Sequence, residues 1–207
     1  MGFDKLLAPL GGKPVLRHSI EAFLAIPELN ELILVTDQAR FDACTEGLNL
    51  CQIKRVDGGS ERHHSVSAGL AHVSDTSELI AVHDGARPLI SPEQIQRCLD
   101  VAADQQAASS ARRITETLKR ADAQGRAAEP VDRTDLWAME TPQAFQASLL
   151  RAAYQKVLGE ELLVTDEVSA VECLEIRTVL VENPLPNLKI TFPQDLPLAE
   201  HLLGWKG

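Results

Sequence analysis

Short apolar runs alternate along this chain with longer stretches in which apolar residues recur every three or four positions. Residues 14–26 place Val15, Leu16, Ile20, Phe23 and Leu24 on one face of a predicted helix, with Pro14 in the first turn, where its missing N–H is no loss. Residues 31–36 (ELILVT), 51–56 and 79–82 read as buried strands, followed by helical patterns over 37–47, 61–73 and 91–106. Ser91 is placed to cap the last of these helices, with Pro92 at its first position and Glu93 in its first turn. Beyond residue 134, helices are predicted over 146–158, 165–173 and 193–203, and strands over 175–181 and 188–191. Thr165 would cap its helix whatever the protein does.

Strand alternating with helix predicts an α/β fold with a doubly wound, mostly parallel sheet of Rossmann-like kind. In such sheets ligands bind beyond the carboxyl ends of the strands. The segments at Asp57 and Asp84 both follow predicted strands, so both should line one crevice. Residues 114–133 (ITETLKRADAQGRAAEPVDR) break the alternation and read as a β-hairpin too polar to be buried on both faces. A projecting arm of this kind is expected to be covered by a second subunit. Without an internal repeat or low-complexity linker, residues 1–207 read as one domain.

Aromatic residues make up only 4% of the chain, so the core must be aliphatic. The formal net charge of −10 argues against a broad nucleic-acid footprint. It leaves room for a small anionic substrate, because a few basic residues in a cleft focus a local field. Cys44, Cys51, Cys98 and Cys173 have neither C-x-x-C nor zinc spacing and are expected to be free thiols in a reducing cytoplasm. No apolar run reaches the ~18 residues of a membrane span, and neither a secretion nor a lipidation signal opens the chain.

Four constellations could carry chemistry. Lys5 and the Gly11-Gly12-Lys13-Pro14 turn precede a helix N-terminus, a place suited to anions, although surface lysines near glycines are common. Asp57-Gly58-Gly59-Ser60-Glu61-Arg62, with Ser65 a turn later, either lets a ligand approach the backbone or is a plain strand-to-helix turn. His83-Asp84-Gly85-Ala86-Arg87-Pro88 offers a carboxylate for a phosphate-bound Mg²⁺ and a planar fork for a phosphate, or else a capping aspartate and a surface arginine. The fourth is dispersed over Thr117, Arg133, Thr141, Thr165 and Lys189, each of which alone reads as hairpin decoration, a turn or a cap.

In order along the chain, VDGGSER, VHDGARP, ETLKR, VDR-x-x-LW, TPQAF, TDE and NLKIT closely resemble the bacterial 2-C-methyl-D-erythritol 4-phosphate cytidylyltransferases of the non-mevalonate isoprenoid pathway. The likeness runs from about Lys5 to about Glu200. It implies transfer of CMP from CTP to the polyol phosphate with Mg²⁺, in a homodimer joined through the hairpin arm. It also implies catalytic roles for Lys5 and Lys189, and contacts to CTP from Gly59, Ser60, Ser65, Asp84 and Gly85, with Asp84 holding the metal. Arg87, Thr141, Thr165 and Lys189 would surround the substrate phosphate, and Thr117 and Arg133 would reach the partner's site. His63, His64 and His83 are expected to be structural, because an anionic phosphate nucleophile needs no strong base.

Two departures bear on this reading. Position 60 is Ser where many relatives carry Asp, which preserves recognition through the backbone but not through a carboxylate. The family opens with a strand and a loop of the form A-A-G-x-G-x-R-M, whose final Met resembles Met1, so that strand and loop are expected to be missing from this sequence. A ribitol-5-phosphate cytidylyltransferase shares the same strings. Other sugar-phosphate nucleotidyltransferases share the G-G-K-P opening but fit the ETLKR and TPQ strings poorly. A catalytically inactive dimeric scaffold is the alternative of a different class.

Overall fold

The computed structural model describes residues 4–204. A two-stranded ribbon, β1 (Pro9–Leu10) and β2 (Lys13–Pro14), leads into helix α1 (Val15–Leu24), and Pro14 caps this helix from just outside its first turn. Strand β3 (Leu32–Val35), helix α2 (Gln38–Thr45), strand β4 (Ile53–Val56), helix α3 (Arg62–Leu70), strand β5 (Leu79–Val82) and helix α4 (Pro92–Gln105) follow in the predicted alternation. The Ser91 hydroxyl accepts from the Gln94 N–H, with Pro92 opening the helix, as its sequence predicts.

The second half departs from expectation. Strand β6 (Ala107–Arg113) leads to a hairpin, β7 (Lys119–Ala121) and β8 (Ala127–Pro130), and returns as β9 (Trp137–Gln146). Helices α5 (Ala147–Gly159) and α6 (Glu167–Glu172), strand β10 (Val179–Glu182) and helix α7 (Asp195–Leu203) complete the chain. The main sheet has the order β10-β6-β9-β5 and is mixed: β10 is parallel to β6, but β9 runs antiparallel to both β6 and β5. The mostly parallel sheet predicted from the alternation is therefore corrected. Only a hairpin links β6 to β9, and a link without a crossover element returns a strand antiparallel to the one it left.

The predicted strand at 188–191 forms no ladder. This segment is irregular, held by an Ile190 N–H bond to the Ala86 carbonyl at 2.8 Å, with the Ile190 side chain fully buried. One core cluster joins Phe145 of β9 to Leu150, Tyr154 and Val157 of α5 and Val168 and Val171 of α6. Another joins Leu16 and Ile20 of α1 to Leu34, Phe41 and Ile53.

Among the described residues, β3 pairs only with β4, and β5 only with β9. The two strands line a common cavity of about 730 Å³, together with Leu16 and Phe23 of α1 and Val66 and Leu70 of α3. Asp84 and Gly85 also line this seam.

Candidate active site

Asp84 follows directly on β5 and is the charged centre of the cleft. Its Oδ2 accepts from Lys189 Nζ at 2.7 Å, Arg62 Nη2 lies 3.5 Å from Oδ1, and Arg87 Nε stands 3.8 Å from Oδ2. Burial alone would push this carboxyl up, but Lys189 first, then Arg62 and Arg87, outweigh it and hold the group below the usual aspartate range. Asp84 is thus an anion ringed by three cations, and Lys189, 105 positions away, is brought onto it by the irregular segment beside the 84–87 turn.

That segment is clamped from beneath. Glu140 of β9 is buried, and its Oε2 accepts from Ser110 Oγ at 3.2 Å, Asn183 Nδ2 at 3.1 Å and Asn187 Nδ2 at 3.2 Å. Arg87 donates Nη1 to the Asn187 carbonyl at 2.8 Å and Nη2 to the Met139 carbonyl at 3.4 Å. Its fork, expected to meet a substrate phosphate, is instead turned onto main-chain carbonyls, and Arg87 ties the Lys189 segment to the sheet. Burial lowers its pKa from the ordinary arginine value, with Asp84 and Glu140 opposing the effect.

The Gly59 loop is fastened by Ser65, whose Oγ accepts from the Gly59 N–H at 3.0 Å and donates to the Glu61 carbonyl at 3.2 Å. A Cβ at Gly59 would fall 2.4 Å from His64 Cβ, so this close backbone approach needs glycine. Ser60 is exposed and its hydroxyl lies 3.1 Å from His64 Nδ1. At Gly85 a Cβ would meet only the tip of a leucine side chain, Leu16 Cδ1, at 2.5 Å.

Arg62 links this loop to α6. It grips the fully buried Glu167 with two bonds, Nη1 to Oε1 at 2.6 Å and Nη2 to Oε2 at 2.8 Å, and Tyr154 OH donates to the same Oε1 at 3.0 Å. Gln143 of β9 aligns α6 by accepting from the Glu167 and Val168 N–H groups at 3.0 and 3.1 Å. The cap of α6 is Asp166, whose carboxylate accepts from the Ser169 N–H, and not the expected Thr165. Thr165 is exposed one residue earlier and donates its own N–H to Ser169 Oγ.

Thr141 sits on β9 against Asp84, accepting from the Asp84 N–H at 3.0 Å. Lys5 is half-buried beside Leu6, which lines the cavity with Asp84, and makes no hydrogen bond or ion pair among the described residues. Lys13 instead pairs with Glu21 at 2.7 Å on the surface. The structure therefore gathers Gly59, Ser65, Asp84, Gly85, Thr141 and Lys189 around one cleft.

Thr117 and Arg133 are not brought there. Both are exposed, β7 and β8 pair only with each other among the described residues, and Arg133 Nη1 donates to the Thr115 carbonyl of its own hairpin. The sequence assigns no role to Glu167, Gln143 or Glu140, although Gln143 stands in the TPQAF string. Glu167 stands in the quoted TDE string, but nothing local pairs it with Arg62.

The family profile of 2-C-methyl-D-erythritol 4-phosphate cytidylyltransferase (IspD) matches residues 1–204. The chain belongs to the IspD family. It is 38% identical over 207 residues to the protein of that name from Caldanaerobacter subterraneus, covering 97% of this chain and 90% of the relative. The chloroplastic IspD protein of Oryza sativa is also 38% identical, over 98% of this chain and 69% of its own length. Crystal structures of family members align over most of the chain. The 4-diphosphocytidyl-2C-methyl-D-erythritol synthase of Anaerococcus prevotii does so at TM-score 0.85 and 28% identity, over 94% of this chain and 88% of the other. The Thermus thermophilus IspD enzyme aligns at TM-score 0.82 and 29% identity, over 96% and 92%.

Asp84 is the one carboxylate at the centre of this cleft, and so the side chain there that could take a metal ion. Among the described residues no group of three or more His, Cys, Asp and Glu side chains could hold a metal ion. A Mg²⁺ that takes one carboxylate and fills its shell with phosphate oxygens and water still fits, since Asp84 Oδ1 has only the long 3.5 Å contact to Arg62. Among the described residues, no helix is long and apolar enough to cross a membrane.

Proposed function

We propose that this chain transfers CMP from CTP to 2-C-methyl-D-erythritol 4-phosphate. A phosphate oxygen of the polyol phosphate attacks the α-phosphorus of CTP, the bond to the β,γ-diphosphate breaks, and pyrophosphate leaves. The observation that carries this reading is the Asp84 carboxylate ringed by Lys189, Arg62 and Arg87 at a strand's carboxyl end.

Such transfers need alignment and charge neutralisation more than covalent chemistry, which accounts for a cleft rich in Lys, Arg and Thr without an activated nucleophile. Gly59 and Ser65, with the backbone at Ser60, would read the cytosine, and Gly85 would let the nucleotide lie against the turn. Lys5 and Lys189 would neutralise charge as it builds on the phosphates. Bound at Asp84, Mg²⁺ would screen the phosphate charge. Thr141 and Thr165 would flank the polyol phosphate, while Arg87 acts indirectly by holding the Lys189 segment.

Thr117 and Arg133 reach a site only across a homodimer, in which the hairpin of one subunit would lie over the cleft of the other. The free thiols of Cys44, Cys51, Cys98 and Cys173 suit a reducing cytoplasm.

Asp84→Asn tests this assignment. It should lower Mg²⁺-dependent kcat by about 10²-fold or more without unfolding the chain, on the scale of a lost electrostatic catalyst. An unchanged kcat would overturn the role of Asp84.

A further inference from the structure

His83 precedes Asp84 and has no place in the chemistry above, yet both its ring nitrogens are engaged. Nε2 lies 3.2 Å from the Arg87 carbonyl, and Nδ1 lies 3.0 Å from the Thr141 hydroxyl. A carbonyl can only accept, so Nε2 carries the proton. In the neutral ring Nδ1 is then bare and accepts the Thr141 hydroxyl proton. That hydroxyl in turn accepts from the Asp84 N–H at 3.0 Å. Every donor and acceptor in this chain has one assignment: Asp84 N–H to Thr141 Oγ1, Thr141 O–H to His83 Nδ1, and His83 Nε2–H to Arg87 O. The ring is also held from the side by Phe23, with centroids 5.3 Å apart at an interplanar angle of 52°.

We propose that His83 is a positioning residue for the cytidylyl transfer, fixing the rotor of Thr141 and, through it, the main chain that aims the Asp84 carboxylate. The chain closes a loop around the reactive turn, because the carbonyl that ends it belongs to Arg87, whose side chain holds the Lys189 segment. Asp84 and Lys189 approach from different parts of the sequence, and the imidazole adds a bridge from the Arg87 carbonyl to Thr141 of β9 beside the direct Asp84 N–H bond. Thr141 has a single proton to give, so a substrate phosphate seeking that proton competes with His83. The imidazole thus sets how firmly Thr141 is held before substrate arrives.

The inference rests on the cytidylyltransferase reading, and its test separates the two. His83→Phe keeps the packing against Phe23 but removes both hydrogen bonds. It should lower kcat between about ten- and a hundredfold, as displaced catalytic groups do, while leaving the Kd for CTP within about twofold. His83→Asn, whose carbonyl can accept from Thr141, should recover most of the loss. His83→Gln, which reaches only toward Arg87, should not. A double variant with Thr141→Val should be no worse than the poorer single variant, because the residues act as one unit. Nitrogen-15 NMR of the imidazole in the unmodified protein at pH 7 should find Nε2 protonated and Nδ1 bare, and this readout does not depend on activity. A protonated Nδ1, a wild-type kcat in His83→Phe, or multiplicative losses in the double variant would overturn the proposal. A full chain without activity on CTP and 2-C-methyl-D-erythritol 4-phosphate would instead overturn the functional reading, with the imidazole spectrum still deciding the hydrogen-bond chain.

Discussion

Arg62 and Glu167, 105 positions apart, meet as a doubly hydrogen-bonded pair at 2.6 and 2.8 Å, with the carboxylate fully buried. The pair joins the start of the helix behind the Gly59 loop to the start of α6, and Arg62 also leans toward Asp84. Two halves of the cleft are therefore coupled by one ion pair. Removing one partner of a buried pair strands the other. Arg62→Ala should accordingly destabilise the fold by about 3 kcal/mol. Denaturant unfolding with an unchanged m-value checks this, and a loss under about 1 kcal/mol would mean that the pair is dispensable.

Gly59 should tolerate no side chain. An alanine Cβ would sit 2.4 Å from His64 Cβ, which forces the loop away from Ser65. Gly59→Ala is expected to weaken CTP binding at least about tenfold, as lost positioning does, while the melting temperature changes little because the loop is exposed. Titration calorimetry with CTP measures it, and an unchanged Kd would remove Gly59 from the nucleotide site. In the unaltered protein, kcat/KM should favour CTP strongly over ATP and GTP, with UTP as the stringent comparison.

His83 gives the fold a defined acid sensitivity. Its folded pKa of about 4 lies below the ordinary 6.5, so between those values the unfolded chain binds a proton that the native chain refuses. Stability contributed by the neutral ring is therefore full above about pH 6.5 and is lost as the pH falls toward 4, by up to about 3 kcal/mol. Asp84, whose pKa is lowered, adds a loss only further down, as the pH falls through its folded value. Melting temperatures of the wild type and His83→Phe, compared at pH 7 and pH 5, should converge on acidification. Parallel losses in the two proteins would contradict the assignment.

The hairpin makes a prediction about assembly. If Arg133 serves the neighbouring cleft, Arg133→Ala and Asp84→Asn are each inactive alone but partly restore one another when subunits exchange. One site of the mixed dimer carries both defects and the other neither, so up to about half of the heterodimer's activity should return. No recovery despite verified exchange would mean that the arm serves its own subunit.

What the sequence made legible follows from local physics. The residues of β5 form an uninterrupted apolar run, and Ser91-Pro92 announces the start of α4, so both were read directly. β6 was not, because Ala107 to Ala111 (AASSA) carries no strand-forming side chains. Those residues are small and fully buried, since α4 packs closely over them. β9 was hidden by Pro142 and by Glu140 and Gln143, polar residues whose burial makes sense only once Asn187 and α6 arrive to bond them. The same limit applies to the site. Asp84 was legible as a carboxylate at a strand end, whereas its neutralisation by Lys189 and the inward turn of Arg87 depend on tertiary contacts.

Pyrophosphate release by this protein with CTP and Mg²⁺ measures the reaction most directly. The assay compares 2-C-methyl-D-erythritol 4-phosphate with ribitol 5-phosphate as acceptor. Turnover of the methylerythritol phosphate, with kcat/KM well above that for the ribitol phosphate and lowered about 10²-fold or more in Asp84→Asn, is the predicted result. Preference for ribitol 5-phosphate, or no turnover of either acceptor, would contradict the account.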